Sequence, residues 1–200
     1  MSFTEVFLQN LHDSTLTEGI AVFFGLLSVW YARKESILVY PTGIVNVLLY
    51  VYICFIAGLY ADMGINAFYF VMSVYGWYNW ARTDVNNKHV PISKLSDKGW
   101  IISLAGVFVF FIPIFYVLSR YTDSTVPVWD AFTTALFIIS MWLMALKKIE
   151  NWIGWIAGDI LVIPLFFSKG LVLSSFQYFV FLILAVMGYI EWKKKIQANA

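Results

Sequence analysis

Charge is scarce in this chain: 12% of its 200 residues are Asp, Glu, Lys or Arg, against 61% apolar and 20% aromatic. A globule of this length has too little interior to hide so much apolar surface, so the shortage of charge excludes a soluble single domain and makes lipid the solvent. The one cysteine, Cys54, allows neither an internal disulfide framework nor a cysteine-rich metal site. Only two histidines occur, His12 and His89, both in polar segments, and there is no His-Glu-x-x-His pair to hold a zinc for intramembrane proteolysis. Gly-x-x-x-x-Gly-Lys is missing, so a nucleotide phosphate has no loop of that kind. Helix-length sequence from Leu171 to Trp192 contains no lysine, which removes the Schiff-base anchor of a seven-helix retinal protein. Ser73, Ser140 and Ser168 have no His or Lys beside them in the same layer, leaving a serine hydrolase without a base. No enzyme, catalytic residue, metal or cofactor is therefore expected. A net charge of +1 offers no patch for nucleic acid.

What the chain has in quantity is long apolar sequence. Segments long enough to cross ~30 Å of hydrocarbon fall near 17–33, 38–59, 63–81, 99–119, 129–146, 149–167 and 171–192. Because lipid cannot satisfy an open backbone, they predict an all-α integral membrane protein of seven transmembrane helices. Lys and Arg are unequally shared between the two sets of connections. One side holds Arg120 and Lys169 alone; the other holds Arg33, Lys34, Arg82, Lys88, Lys94, Lys98, Lys147, Lys148, Lys193, Lys194 and Lys195. The positive-inside rule then places the N-terminus outside and the C-terminus in the cytoplasm, which requires an odd number of spans. The first sixteen residues lack the basic start of a cleavable signal, so the first helix is expected to remain.

Sliding residues 17–82 along the chain by 112 positions brings Trp30 onto Trp142, Gly58 onto Gly170, Gly76 onto Gly188 and Trp80 onto Trp192. The expected organisation is a single transmembrane domain over 1–200, with triplets at 17–82 and 129–194 joined by an unpaired linker helix at 99–119. One helix inserted after three spans gives both triplets the same orientation, a 3+1+3 parallel repeat with the substrate path between them. The polar stretch Thr83 to Lys98, with Asn86, Asn87 and Pro91, reads as a cytoplasmic loop, and the nearly featureless linker as a strap.

Polar groups in the apolar segments are costly, so each is a candidate for function or for interhelical bonding. Asp159 lies midway along the sixth segment, with Trp152 and Trp155 seven and four positions earlier on the same face. Indole faces beside a carboxylate suit a flat organic cation, through cation–π attraction and charge pairing. Asn46 lies at the depth of Asp159, and Asn66 at that of Gln177, each one step from repeat register. Four such groups could converge on one small polar molecule or simply bond helix to helix. Tyr178 adjoins Gln177, and Tyr69 and Tyr75 also need hydroxyl partners. The matched ends Gly76-Trp77-Tyr78-Asn79-Trp80 and Gly188-Tyr189-Ile190-Glu191-Trp192 read as structural closures, and Pro41 and Pro164 as interruptions of their helices.

Glu150-Asn151-Trp152-x-x-Trp155, then Lys169-Gly170-Leu171 and Gln177-Tyr178, with Tyr75-Gly76-Trp77-Tyr78-x-Trp80 in the first half, resemble the PnuC family of bacterial vitamin transporters over roughly residues 18–195. The resemblance implies a SWEET-like 3+1+3 fold in the bacterial inner membrane. It also implies facilitated diffusion of nicotinamide riboside, a small cationic vitamin, trapped afterwards by a cytosolic kinase. Trp152, Trp155, Asp159, Gln177, Tyr178, Asn46 and Asn66 are the substrate contacts it suggests. Sugar SWEETs fit less well, since the Pro-Gln dipeptide of their wider clan is absent. Nicotinamide riboside members often carry Asn where this chain has Asp159, which keeps thiamine or another vitamin of the same family as the alternative. Coupling to protons through Asp159, and a membrane-embedded enzyme or receptor, are further alternatives. Oligomeric state, self-association included, is open.

Overall fold

The computed structural model describes residues 15–56, 58–83, 89–168 and 172–198; the expectations attached to His12, Asn86, Asn87, Lys88, Lys169, Gly170 and Leu171 concern residues outside this set. Seven helices occur among the described residues: α1 (Leu16–Arg33), α2 (Val39–Ile56), α3 (Tyr60–Ala81), α4 (Asp97–Tyr121), α5 (Pro127–Ala145), α6 (Asn151–Ser168) and α7 (Val172–Ala198). Five are long and apolar enough to cross a membrane by length and composition. The other two, α1 and α3, are diluted by Glu18 and Arg33 and by Asp62, Asn66, Asn79 and several Tyr and Trp residues. They are also the first-half helices that touch the second half.

Local sequence explains where the helices start. Thr15 and Glu18 form a reciprocal capping box, Thr15 Oγ1 accepting from the Glu18 N–H at 3.2 Å and Glu18 Oε2 from the Thr15 N–H at 2.6 Å. Ser96 caps α4, and Pro127 occupies the first position of α5, where its missing N–H leaves no helical bond unmade. Pro41 does not interrupt its helix as the sequence suggests. Because α2 begins at Val39, Pro41 falls in the first turn, where the same argument applies. Pro164, by contrast, does lie inside α6.

Packing orders the helices as a closed ring, α1–α2–α3–α5–α6–α7, with α7 returning to α1 and α4 lying outside against α5. Each triplet is an unbroken arc of this ring, so its order repeats after half a turn. The linker packs mainly on the second arc and meets the first through Phe110 against Phe68 of α3 at 6.1 Å. Gly106 admits Ile139 from α5, and Phe111 meets Phe132 edge to face at 6.4 Å.

The repeat extends to individual atoms at the Lys/Arg-rich end. α1 and α5 both finish in a Schellman turn: Glu35 N–H donates to Ala32 O at 3.0 Å and Ser36 N–H to Tyr31 O at 2.9 Å, while Lys147 N–H donates to Met144 O and Lys148 N–H to Leu143 O, each at 2.9 Å. Indole N–H groups take up the remaining capacity of the same terminal carbonyls. Trp80 donates to Met144 O at 3.1 Å and Trp192 to Ala32 O at 3.0 Å, one bond across each junction between halves. Behind them Tyr40 meets Trp80 edge-on at 5.2 Å, and Trp152 meets Trp192 edge-on at 5.5 Å. Trp80 and Trp192 touch each other at 5.9 Å, joining all four buried rings into one layer.

Two glycines make this layer possible. A Cβ at Gly188 would stand 2.6 Å from the Trp152 ring, and one at Gly76 the same way against Tyr40. Gly188→Ala is expected to cost about 1–3 kcal/mol by overpacking, read as a lowered midpoint of thermal unfolding in detergent. An unchanged midpoint would show that the layer yields without strain.

Candidate functional site

Two features could act on a solute moving along the bundle, a charged tie that seals the basic end and an aromatic cluster deeper between the helices. The tie starts from backbone geometry. Glu35 and Lys147, at the turn position where helices usually place glycine, both have positive φ, 60° and 54°. That conformation costs a residue with a Cβ about 1–2 kcal/mol, so something must hold these side chains there. They bond each other: Lys147 Nζ donates to Glu35 Oε1 at 2.9 Å, across a sequence separation of 112. Lys195 donates to the other Glu35 oxygen at 2.8 Å, and Lys147 also donates to Val90 O at 2.8 Å. Burial by itself would raise the Glu35 pKa, but the hydrogen bonds and positive charges of Lys195 and Lys147 together outweigh it and hold the carboxyl below its ordinary 4.5.

Around the tie the loop before α4 is sewn down. Ser93 exchanges backbone bonds with the α5–α6 turn, Lys148 Nζ donates to Ser93 Oγ at 2.8 Å, and Glu150 Oε2 accepts from Leu95 N–H at 3.0 Å. Asn151, fully buried, turns its amide onto Lys148 O at 2.6 Å. Glu150, Asn151 and Trp152, the first part of the motif read from sequence, therefore build the closed end. Trp152 is 1% exposed and packed within the four-ring layer.

Trp155, one turn on, faces elsewhere. Its ring stacks on Phe137 of α5 at 5.3 Å with 27° between planes, and Phe137 stacks in turn on Tyr178 of α7 at 6.0 Å and 13°. Phe166 and Phe181 pack edge-on around Tyr178 at 5.3 and 5.7 Å. Asp159, 2% exposed, lies on α6 next to Gly158 and close enough to Tyr178 to interact electrostatically. Gln177 lies near the Tyr50 hydroxyl of α2. Trp155 and Tyr178 are thus joined through Phe137 in one aromatic cluster, with Asp159 and Gln177 beside it and the Asp62 carboxyl of α3 also close enough to Tyr178 to interact electrostatically.

The two asparagines are committed to helices. Asn46 Nδ2 donates to Ala21 O of α1 at 2.7 Å, while Asn66 Nδ2 donates to Asp62 O one turn back in α3 at 2.9 Å. Each amide spends one N–H on these bonds and keeps a second N–H and its Oδ1. Phe137 and Tyr50 were not singled out by sequence. Phe137 had a signal: the repeat register sets it against Gly25, and Gly158 against Asn46, an exchange of bulk between the two halves. A surface hollow of about 480 Å³, lined by Asp123, Ser124, Thr125, Val126 and Ser168, lies at the other end of the bundle from the tie and has no side chain in common with the cluster.

Comparison with known proteins places this geometry. Residues 15–194 match the family model described as nicotinamide mononucleotide transporter. The nicotinamide riboside transporter PnuC of Escherichia coli is 27% identical over 208 residues, covering 90% of this chain and 86% of that protein. The riboflavin/roseoflavin transporter RibM of Streptomyces davaonensis is 25% identical over 173 residues, covering 84% and 80%. In fold, the chain superposes on the crystal structure of the vitamin B3 transporter PnuC with a TM-score of 0.75 at 24% identity, covering 99% of this chain and 89% of that one.

Proposed function

The chain belongs to the nicotinamide mononucleotide transporter family, and from that membership we propose that it carries nicotinamide riboside by facilitated diffusion. It is a multi-pass transporter of the bacterial inner membrane and not an enzyme. Its orientation follows from charge: the Lys/Arg-rich end with the Glu35–Lys147 tie faces the cytoplasm, and the N-terminus faces out.

One observation supports a flat cationic substrate, the buried Asp159 carboxyl beside a cluster of aromatic faces; nicotinamide riboside in particular comes from the relatives. Nicotinamide riboside bears a permanent positive charge on a flat ring. Asp159 supplies the opposite charge, Trp155 and Tyr178 supply faces for stacking and cation–π attraction, and Gln177 supplies an amide for the sugar hydroxyls. Asn46 joins α1 to α2 and Asn66 bonds within α3, and each keeps a second N–H and its amide oxygen for the substrate. Trp152 acts below it, in the closed layer. Transport then needs that layer to part while the opposite end shuts, the two triplets moving about the site.

No driving ion enters this scheme. A cytosolic kinase that phosphorylates the arriving vitamin would make the flow one-way. The test is uptake of labelled nicotinamide riboside into liposomes containing this protein alone. Equilibration independent of a pH gradient is expected, with net accumulation once a kinase and ATP are enclosed; accumulation driven by the gradient would replace diffusion by proton coupling. Riboflavin is the second reading, favoured over thiamine by the similarity to the Streptomyces davaonensis protein.

A further inference from the structure

We propose that Phe137 sets which planar ring system the site accepts; this rests on the aromatic cluster being the substrate site. Phe137 is the ring common to both stacks, with Trp155 on it at 5.3 Å and Tyr178 at 6.0 Å, and it is 8% exposed. A solute ring that enters between those two residues competes for the faces that Phe137 now covers. Its side chain must swing aside or become a wall of the site. In both cases its size fixes the width left between Trp155 and Tyr178.

The repeat makes the assignment specific. At the α1–α2 crossing the first half sets Gly25 against Asn46, and a Cβ on Gly25 would meet the Asn46 amide at 2.9 Å. At the corresponding α5–α6 crossing bulk and gap are exchanged, Phe137 filling the space that Gly158 leaves open, where any Cβ would collide with the Phe137 ring. Helix packing alone needs one large and one small residue at each crossing, and both arrangements meet that need. Only the second puts an aromatic face toward Trp155. The first has instead an amide bonded to Ala21 O, with Phe181 against the bare Gly25 backbone. A substrate in between would meet a stacking wall on one side and a polar, narrow wall on the other.

A residue that sets width should alter the ratio of affinities for a single-ring and a three-ring vitamin. The experiment is titration of purified Phe137→Ala, Phe137→Leu and Phe137→Tyr with nicotinamide riboside and with riboflavin, thermal unfolding being followed in parallel. Phe137→Ala is expected to shift the ratio by about tenfold or more toward riboflavin, since one wall is removed and the gap widens. Phe137→Leu keeps apolar volume but loses the flat face, and should weaken nicotinamide riboside by about threefold to tenfold with a smaller change for riboflavin. Phe137→Tyr should preserve the wild-type ratio. If Phe137→Ala does not fold, the ratio in Phe137→Leu decides. Equal losses for both vitamins in these variants, or no change in either, would overturn the role of Phe137 alone. A wild-type protein that binds neither vitamin would overturn the substrate reading, and this inference with it.

Discussion

Asp159→Ala is expected to weaken nicotinamide riboside binding by about 30- to 100-fold, while the protein unfolds at the same temperature as wild type or slightly higher. Removing one partner of a buried charge pair costs about 2–5 kcal/mol, and the lower part of that range applies where neighbouring side chains can relax toward the solute. Stability moves the other way because Asp159 is 2% exposed beside an aromatic cluster, an expensive place for a carboxylate that has no ion pair among the described residues. Function and stability therefore separate at this residue. Asp159→Asn keeps the shape and a hydrogen-bond acceptor without the charge, so it should fall between the two. Trp155→Ala removes a stacking face and should lower affinity by about tenfold. Calorimetric titration with parallel unfolding curves reads all three; full affinity in both alanine variants would remove the assignment of the site.

Lys147→Met is expected to destabilise the protein by about 2 kcal/mol, and Lys195→Ala by under about 1 kcal/mol, though both lysines bond the same carboxylate. Their surroundings differ. Lys147 is buried at 5% side-chain exposure and also satisfies Val90 O, whereas Lys195 is 41% exposed and its bond is screened by solvent. Losing Lys147 also removes the bond between the two left-handed residues, leaving Glu35 held by Lys195 alone and position 147 with no such partner. Thermal unfolding distinguishes the two variants, and equal shifts would count against burial as the cause. The pH dependence has a definite sign. Glu35 has its folded pKa below 4.5, so the tie contributes fully above the ordinary carboxylate pKa and is lost only as pH falls through the lower folded value. From about pH 6 to 8 the difference between wild type and Lys147→Met should stay constant.

How far sequence reaches depends on which kind of residue carries the message. Hydrophobic length and rare matched residues suffice for the helices and the repeat, because Trp80, Trp192, Gly76 and Gly188 pack alike in each half. The site is less accessible. Helical spacing places Trp152 and Trp155 on one side of α6, but spacing cannot say that a Gly188 gap draws Trp152 into the closed layer while Phe137 draws Trp155 toward the core. Asn46 and Asn66 are legible as costly polar groups, yet whether they bond a helix or a solute depends on which carbonyl lies within reach. Phe137 is hidden for a different reason. In a chain that is 20% aromatic, one more phenylalanine is conspicuous only against the glycine at its repeat position.

The bond between Glu35 and Lys147 bears on how such a bundle can be assembled. The two residues occupy the same place in their respective halves and meet each other, which is the contact that a two-fold axis makes a residue form with its own copy. In a dimer of identical three-helix chains that contact would set carboxylate against carboxylate or ammonium against ammonium. Opposite charges there require two different sequences. Carrying both halves in one polypeptide supplies them, so each half is specified for its counterpart and penalised against itself.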